Sequence, residues 1–330
     1  MYLQKLNKYN YKLSSFIGGA APANSEEKII KGIPIDLKKY PQYTPLSDSL
    51  NLEGWNFITL DGFTIYEKKS ENQDESRPNL FVMSGFSVNS VRESGIVIVD
   101  KIDLLLSKFR AVYILNLSPL KKLQNEACAV GDAYCTTNVD LLDIQGKFGK
   151  ESDEYREKVR ELGLEYRIAK NVSVIQMYED AGRTVNQLIT QLGLQNVHIL
   201  GECAGGGLAI SLVKQQPTTR YTALYLSVPA RADNVYSLPP EVLQRVKFRF
   251  QWNKGDPTQY EWHREERVGE TSTNEKEVYD QMMGNFIKSN PGIDYKSYLY
   301  DQDPKTTPMN NRVPEHEIHR SFIDQICSEL

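Results

Sequence analysis

Cys203 stands at the centre of Gly201-Glu202-Cys203-Ala204-Gly205, followed by Gly206 and Gly207. The apolar run "NVHIL" precedes this string, and "AGGGLAISLVKQQ" follows it with helical apolar spacing. A nucleophile held between a strand and a helix needs a tight turn, and glycines suit places where a Cβ would strike neighbouring backbone. A thiolate at the start of a helix is also stabilised by the positive end of the helix dipole. The carboxylate of Glu202 opposes that effect unless its side chain is turned aside or neutralised. The competing reading is a small buried cysteine whose glycines serve only helix–sheet packing.

A nucleophilic cysteine needs a base, an acid and an oxyanion site. The elbow resembles that of α/β-hydrolases, and the resemblance implies that the acid and then the histidine follow the nucleophile in chain order. The chain has four histidines. His198 lies inside the strand before the elbow and reads as a core histidine, and His263 sits in the charged segment "EWHREE". His316 and His319, in "NRVPEHEIHRSF", follow the last strand. His316 is favoured because it lies nearer the loop, just after Pro314, while His319 is the alternative base beside an inward stripe of Ile318, Phe322 and Ile326. Asp256, in Gly255-Asp256-Pro257 beyond the strand "VKFRFQW", is the acid that would orient the imidazole. An ordinary Asp-Pro turn is the other reading, and Asp301 and Asp303 are further candidates. Two backbone N–H groups should hold the oxyanion: that of Ala204, directly after the nucleophile, and that of Phe86, after the strand "NLFVMSGFS".

These residues need a sheet to position them. "WNFITL" and "FTIYEKK" flank Asp61-Gly62, a strong hairpin signal. Apolar runs then alternate with helical segments: strands at Asn79–Ser87, Ala111–Leu117, Tyr221–Ala230, Val246–Trp252 and Asp294–Tyr300, besides the one before the elbow. Helices are expected from the strand at Ser87 to Phe109, in "GKESDEYREKVRELG", over Met177–Gly193, after Cys203, and from about Glu315 to Glu329. The plan is α/β, with a mostly parallel sheet, a leading antiparallel hairpin and helices on both faces. Residues 1–50, polar and rich in tyrosine and proline, read as an N-terminal arm on a domain spanning 51–330. Residues 118–170 interrupt the alternation and read as a lid insertion, with 231–245 as a second contributor.

With Gly201, Cys203, Gly205 and Gly206 in this frame, the chain from about Trp55 onward resembles the α/β-hydrolase superfamily. The string G-x-C-x-G-G is similar to that of its cysteine-nucleophile branches, the dienelactone hydrolases and the polyhydroxyalkanoate synthases. The resemblance implies the α/β-hydrolase fold and a triad of Cys203, Asp256 and His316 acting on an ester, lactone or thioester. With an alcohol in place of water the same site would be an acyltransferase. The chain departs from both branches at Glu315, where they have glycine before the histidine. A non-catalytic binding or structural protein on the same scaffold is the alternative.

Composition narrows the partners. The chain has 330 residues and a net charge of −4, with both signs mixed and no Lys/Arg-rich stretch, so nucleic acid is not expected. Four cysteines are too few for a disulfide framework, and Cys128 and Cys135 have no histidine near them to make zinc spacing. No metal or other cofactor is expected, and the expected partner is a small-molecule acyl substrate. The N-terminus lacks the apolar core of a signal peptide, and no run approaches the ~20 apolar residues of a membrane span, so a cytoplasmic protein is expected.

Overall fold

A computed structural model describes residues 52–86, 88–120, 147, 153–215, 220–230, 235, 237–253, 292–301 and 318–330. The expected arm at 1–50, the segment holding Cys128 and Cys135, and Asp256, His263, Asp303, Glu315 and His316 lie outside them. Of the expected lid, Ser118–Leu120, Lys147 and the residues from Asp153 onward are described.

In chain order the elements are β1 (Asn56–Leu60), β2 (Phe63–Lys69), β3 (Asn79–Met83), α1 (Val88–Asp100), α2 (Ile102–Lys108) and β4 (Ala111–Leu115). There follow α3 (Asp153–Gln191), β5 (Val197–Glu202), α4 (Ala204–Gln215), β6 (Tyr221–Ser227), α5 (Pro240–Arg245), β7 (Lys247–Asn253), β8 (Tyr295–Tyr300) and α6 (Arg320–Ser328). Eight strands form one sheet in the order β1-β2-β4-β3-β5-β6-β7-β8. The first two pairings, β1 with β2 and β2 with β4, are antiparallel, and the remaining five are parallel.

Local chemistry explains the corners. Leu60 pairs with Phe63, which leaves a two-residue loop, and both loop residues have positive φ (Asp61 48°, Gly62 81°), as a type I′ hairpin turn requires. At the end of α3, Gly193 takes φ 68° and donates to Thr190 O, while Leu194 N–H donates to Ile189 O. That pair of bonds is a Schellman stop, which satisfies carbonyls the helix would leave open. The strands β3, β4 and β5 are buried at every position, as expected of the middle of a sheet covered on both faces.

One face packs against α3, α4 and α5 through residues such as Val185, Leu188, Leu208, Leu212 and Val242. The other packs against α1, α2 and α6 through Ile98, Leu105, Phe109, Phe322 and Ile326. Three boundaries differ from the sequence reading. The stretch up to Phe109 is two helices, broken at Lys101. The two helices expected across 149–193 are one 39-residue helix from Asp153 to Gln191. The last helix begins at Arg320, with His319 as its N-cap, rather than near Glu315. Among the described residues no helix is long and apolar enough to cross a membrane.

Candidate active site

β5 lies in the interior of the sheet, between β3 and β6, and the turn at its C-terminal end carries Cys203. Cys203 has φ +52°, in the left-handed region that costs an L-residue roughly 1–2 kcal/mol. Backbone bonds over-determine the position. Cys203 N–H donates to Ser227 O (3.0 Å), and Cys203 O accepts from Gly206 (3.0 Å), Gly207 (3.3 Å) and Ala230 (2.8 Å). Strain held by the surroundings at a single side chain is a signature of functional turns. Cys203 is a free cysteine and half-buried as a residue, packed against the core beneath the elbow.

The glycines are required by close approach. A Cβ on Gly201 would sit 2.7 Å from Gly205 O and 2.8 Å from Gly206 Cα. On Gly205 it would sit 2.2 Å from Met83 O and 2.6 Å from Ser84 O. The second pair shows how tightly the first turn of α4 is pressed against the end of β3. That approach brings the Ser84–Phe86 loop beside the turn of Cys203 and Ala204, the two segments named for the oxyanion donors. Ala204 is the first residue of α4, so its N–H has no intrahelical acceptor. Phe86 is buried, with its ring 6.1 Å from that of Tyr178 on α3.

Glu202 is turned aside. Its side chain is fully buried beneath the sheet, where the Ser94 hydroxyl of α1 donates to it. Sequence reasoning left this open and did not find Ser94 at all.

The histidines separate. His198 is buried, and Phe109 and Tyr225 meet its ring edge-on at 5.6 Å. Its Nδ1 lies 2.8 Å from the Tyr225 hydroxyl. Burial, helped by the Lys247 charge, pushes the imidazole down to about 4, so it is a neutral core group as expected. His319 Nδ1 accepts the Ser321 N–H at 3.1 Å as the cap of α6, and its ring stacks on Tyr300 with centroids 4.6 Å apart and planes 9° from parallel. A neutral ring accepting at Nδ1 carries its proton on Nε2, the opposite tautomer from one that donates Nδ1–H to an orienting carboxylate. Asp256 lies three positions beyond the last residue of β7 and His316 four positions before α6, both outside the described residues. Asp301 directly follows β8.

The polar face of β7 also escaped sequence reasoning. Arg249, Gln251 and Asn253 alternate with Phe248, Phe250 and Trp252, yet all of β7 beyond Lys247 is buried. Arg249 donates to Glu329 (2.6 Å) and Asp294 (2.7 Å). Gln251 Oε1 accepts the His319 N–H at 3.0 Å. Both ends of α6 are therefore fastened to one strand. The period-2 pattern of "KFRFQWN" was the available signal of a polar face, and here that face lies beneath α6 rather than at solvent.

Antiparallel β1 and β2, parallel strands in the order β4-β3-β5-β6-β7-β8, and a strained elbow after β5 decide the architecture. The chain has the α/β-hydrolase fold. No protein-family model and no curated protein sequence matches it. Solved structures resemble it at low identity. A sugar hydrolase from Lactococcus lactis is 11% identical over 83% of this chain and 96% of its own, with a TM-score of 0.42. A predicted CIB-like hydrolase from Thermoplasma acidophilum is 12% identical over 83% and 96%, with a TM-score of 0.41. An α/β-hydrolase enzyme from a sediment metagenome of the Mar Chica lagoon, Morocco, is 14% identical over 75% and 88%, with a TM-score of 0.37. The fold itself rests on strand order and elbow.

Proposed function

We propose that this chain is a cysteine-dependent hydrolase that cleaves an ester, lactone or thioester through an acyl-enzyme. The observation that carries the reading is the free, half-buried Cys203 held at φ +52° between β5 and α4. In the proposed reaction the Cys203 thiolate attacks the carbonyl carbon, and the N–H groups of Phe86 and Ala204 hold the oxyanion. His316 takes the thiol proton and returns it to the leaving group, and Asp256 keeps its tautomer. Water then attacks the acyl-thioester, with His316 as base, and regenerates the thiol. The capping role of His319 supports His316 as the base.

A p-nitrophenyl ester series, read for a p-nitrophenol burst and by intact mass, tests the proposal. An acyl adduct on wild type, mapped to Cys203 and absent from Cys203→Ala, is the expected result. Neither burst nor adduct with activated acetyl to octanoyl esters would refute it and leave a scaffold used for binding. Added alcohol that captures the acyl group faster than water would turn the assignment to acyl transfer.

A further inference from the structure

The residue before the nucleophile is bonded to the helix that follows the Ser84–Phe86 loop. Glu202 is the last residue of β5, and its fully buried side chain accepts the hydroxyl of Ser94, itself 2% exposed, on α1. A carboxyl is costly to place where water cannot reach it, and hydrogen bonds are what offset that cost. Ser94 lies on the inward side of α1, at helical spacing from Val97 and Ile98, which are buried in the layer shared with α2 and α6. α1 begins at Val88, two residues after Phe86. Ser94 stands six residues further on, about 9 Å along the helix axis. The helix therefore carries the Glu202 bond back to the end of the loop.

The loop is held from the other face of the sheet as well. Met83 is the register partner of Gly201, so Ser84 continues β3 beside Glu202. The first turn of α4 presses on this exit, where a Cβ on Gly205 would meet Met83 O at 2.2 Å and Ser84 O at 2.6 Å. Two N–H groups stabilise an oxyanion together only when both stand about 2.7–3.1 Å from the place it occupies. Contact with α4 limits how close the loop comes to Ala204. The bond between Glu202 and Ser94 limits how far α1, and the loop with it, moves along the edge of the sheet.

We infer that Glu202 and Ser94 are positioning residues, which set the Phe86 N–H against the Ala204 N–H by tying α1 to the strand of the nucleophile. Neither touches substrate. The inference rests on the acyl-enzyme reading above and deepens it. The pair matters to reactions of Cys203 that create an oxyanion, and not to those that create none.

Two reactions of the same thiolate separate this role from a general structural one. With iodomethane a C–S bond forms at a saturated carbon, the C–I bond breaks and iodide leaves with the electron pair. With p-nitrophenyl acetate the thiolate adds to the carbonyl carbon, the oxygen takes the negative charge, and p-nitrophenolate leaves as the carbonyl re-forms. Both rates scale with the thiolate fraction, so the ratio of acetylation to methylation at one pH reports oxyanion stabilisation. The ratio is measured in the full-length chain, with both adducts mapped to Cys203 by peptide mass. Ser94→Ala removes the donor, Glu202→Asp withdraws the acceptor by one methylene, and Glu202→Gln keeps an accepting oxygen while removing the charge. The ratio should fall by about 10- to 100-fold in Ser94→Ala and Glu202→Asp, as expected of a misplaced oxyanion donor. It should stay near wild type in Glu202→Gln, whatever the lost charge does to the thiol. Should one of the first two variants fail to fold, the other carries the test.

A wild-type ratio in either of them, folded, overturns the positioning role and leaves the acyl-enzyme standing, even where both rates fall together. A ratio in Glu202→Gln as low as in Glu202→Asp overturns it too, because the effect then belongs to the charge. A wild-type ratio no higher than that of N-acetylcysteine overturns the oxyanion site itself, and the role of Glu202 and Ser94 with it.

Discussion

The strained backbone at Cys203 has a measurable thermodynamic signature. At φ +52° an L-residue carries roughly 1–2 kcal/mol of strain that glycine does not. Cys203→Gly removes that strain and Cys203→Ala keeps it. Against this, glycine loses about 0.5–1 kcal/mol more backbone entropy on folding than alanine. The balance leaves Cys203→Gly equal to Cys203→Ala or more stable by up to about 1.5 kcal/mol. Cys327, the buried free thiol within α6, supplies the internal control. There the backbone is helical, and Cys327→Gly should be less stable than Cys327→Ala by about 1 kcal/mol. Urea unfolding of the four variants, analysed with matched m-values, reads both differences on one scale. The two glycine–alanine gaps should differ by about 1–2 kcal/mol, in favour of glycine at 203. Equal gaps at the two sites would show that Cys203 is unstrained and would remove the main structural reason for treating it as a nucleophile.

Gly205→Ala should destabilise the fold by more than the ~1–3 kcal/mol of ordinary overpacking, because its Cβ meets carbonyl backbone at 2.2 Å rather than a yielding side chain; a urea midpoint near wild type would contradict the close approach. Buried His198 has its pKa lowered from 6.5 to about 4, so the unfolded chain binds the proton first as pH falls. Stability should therefore be undiminished above about pH 6.5, lower by about 2 kcal/mol at pH 5 and level below about pH 4 with respect to this group. His198→Phe should flatten that limb of a stability–pH curve. Burial works to raise the Glu329 carboxyl, but hydrogen bonds from Tyr298, Arg249, Gln325 and Lys296 outweigh it and bring it down to about 2. Its contribution is present above about pH 4.5 and lost as pH falls toward about 2, so Glu329→Gln should lower the neutral-pH midpoint and weaken the acid dependence in that window.

The parts of the fold written in local chemistry were legible. Asp61-Gly62 specifies a tight hairpin and Gly193 a helix stop, and both depend on backbone conformations that few residues adopt. The elbow was legible because Gly201, Gly205, Gly206 and Gly207 surround Cys203 between an apolar run and a stretch with helical apolar spacing. His198 and the inward stripe of Ile318, Phe322 and Ile326 followed from periodicity, and all four are buried. What was not legible depends on contacts distant in sequence. Ser94 reaches Glu202 across 108 positions, and Gln251 reaches His319 across 68. Nothing local to "KFRFQWN" distinguishes a polar face under a helix from one in water. The union of two expected helices into α3 means that Gly163, at which the first was expected to end, lies within the helix and does not stop it. The start of the last helix shifted to Arg320 because a histidine ring, unlike Ser, Thr, Asp or Asn, is an uncommon cap.

The most direct test of the central claim is the alkylation of Cys203 by iodoacetamide from pH 5 to 9, compared among wild type, His316→Ala and His319→Ala. A fast wild-type rate persisting below about pH 8.5, lost in His316→Ala and kept in His319→Ala, is the expected result. A wild-type rate that simply follows an ordinary thiol, unchanged by either substitution in folded protein, would contradict it.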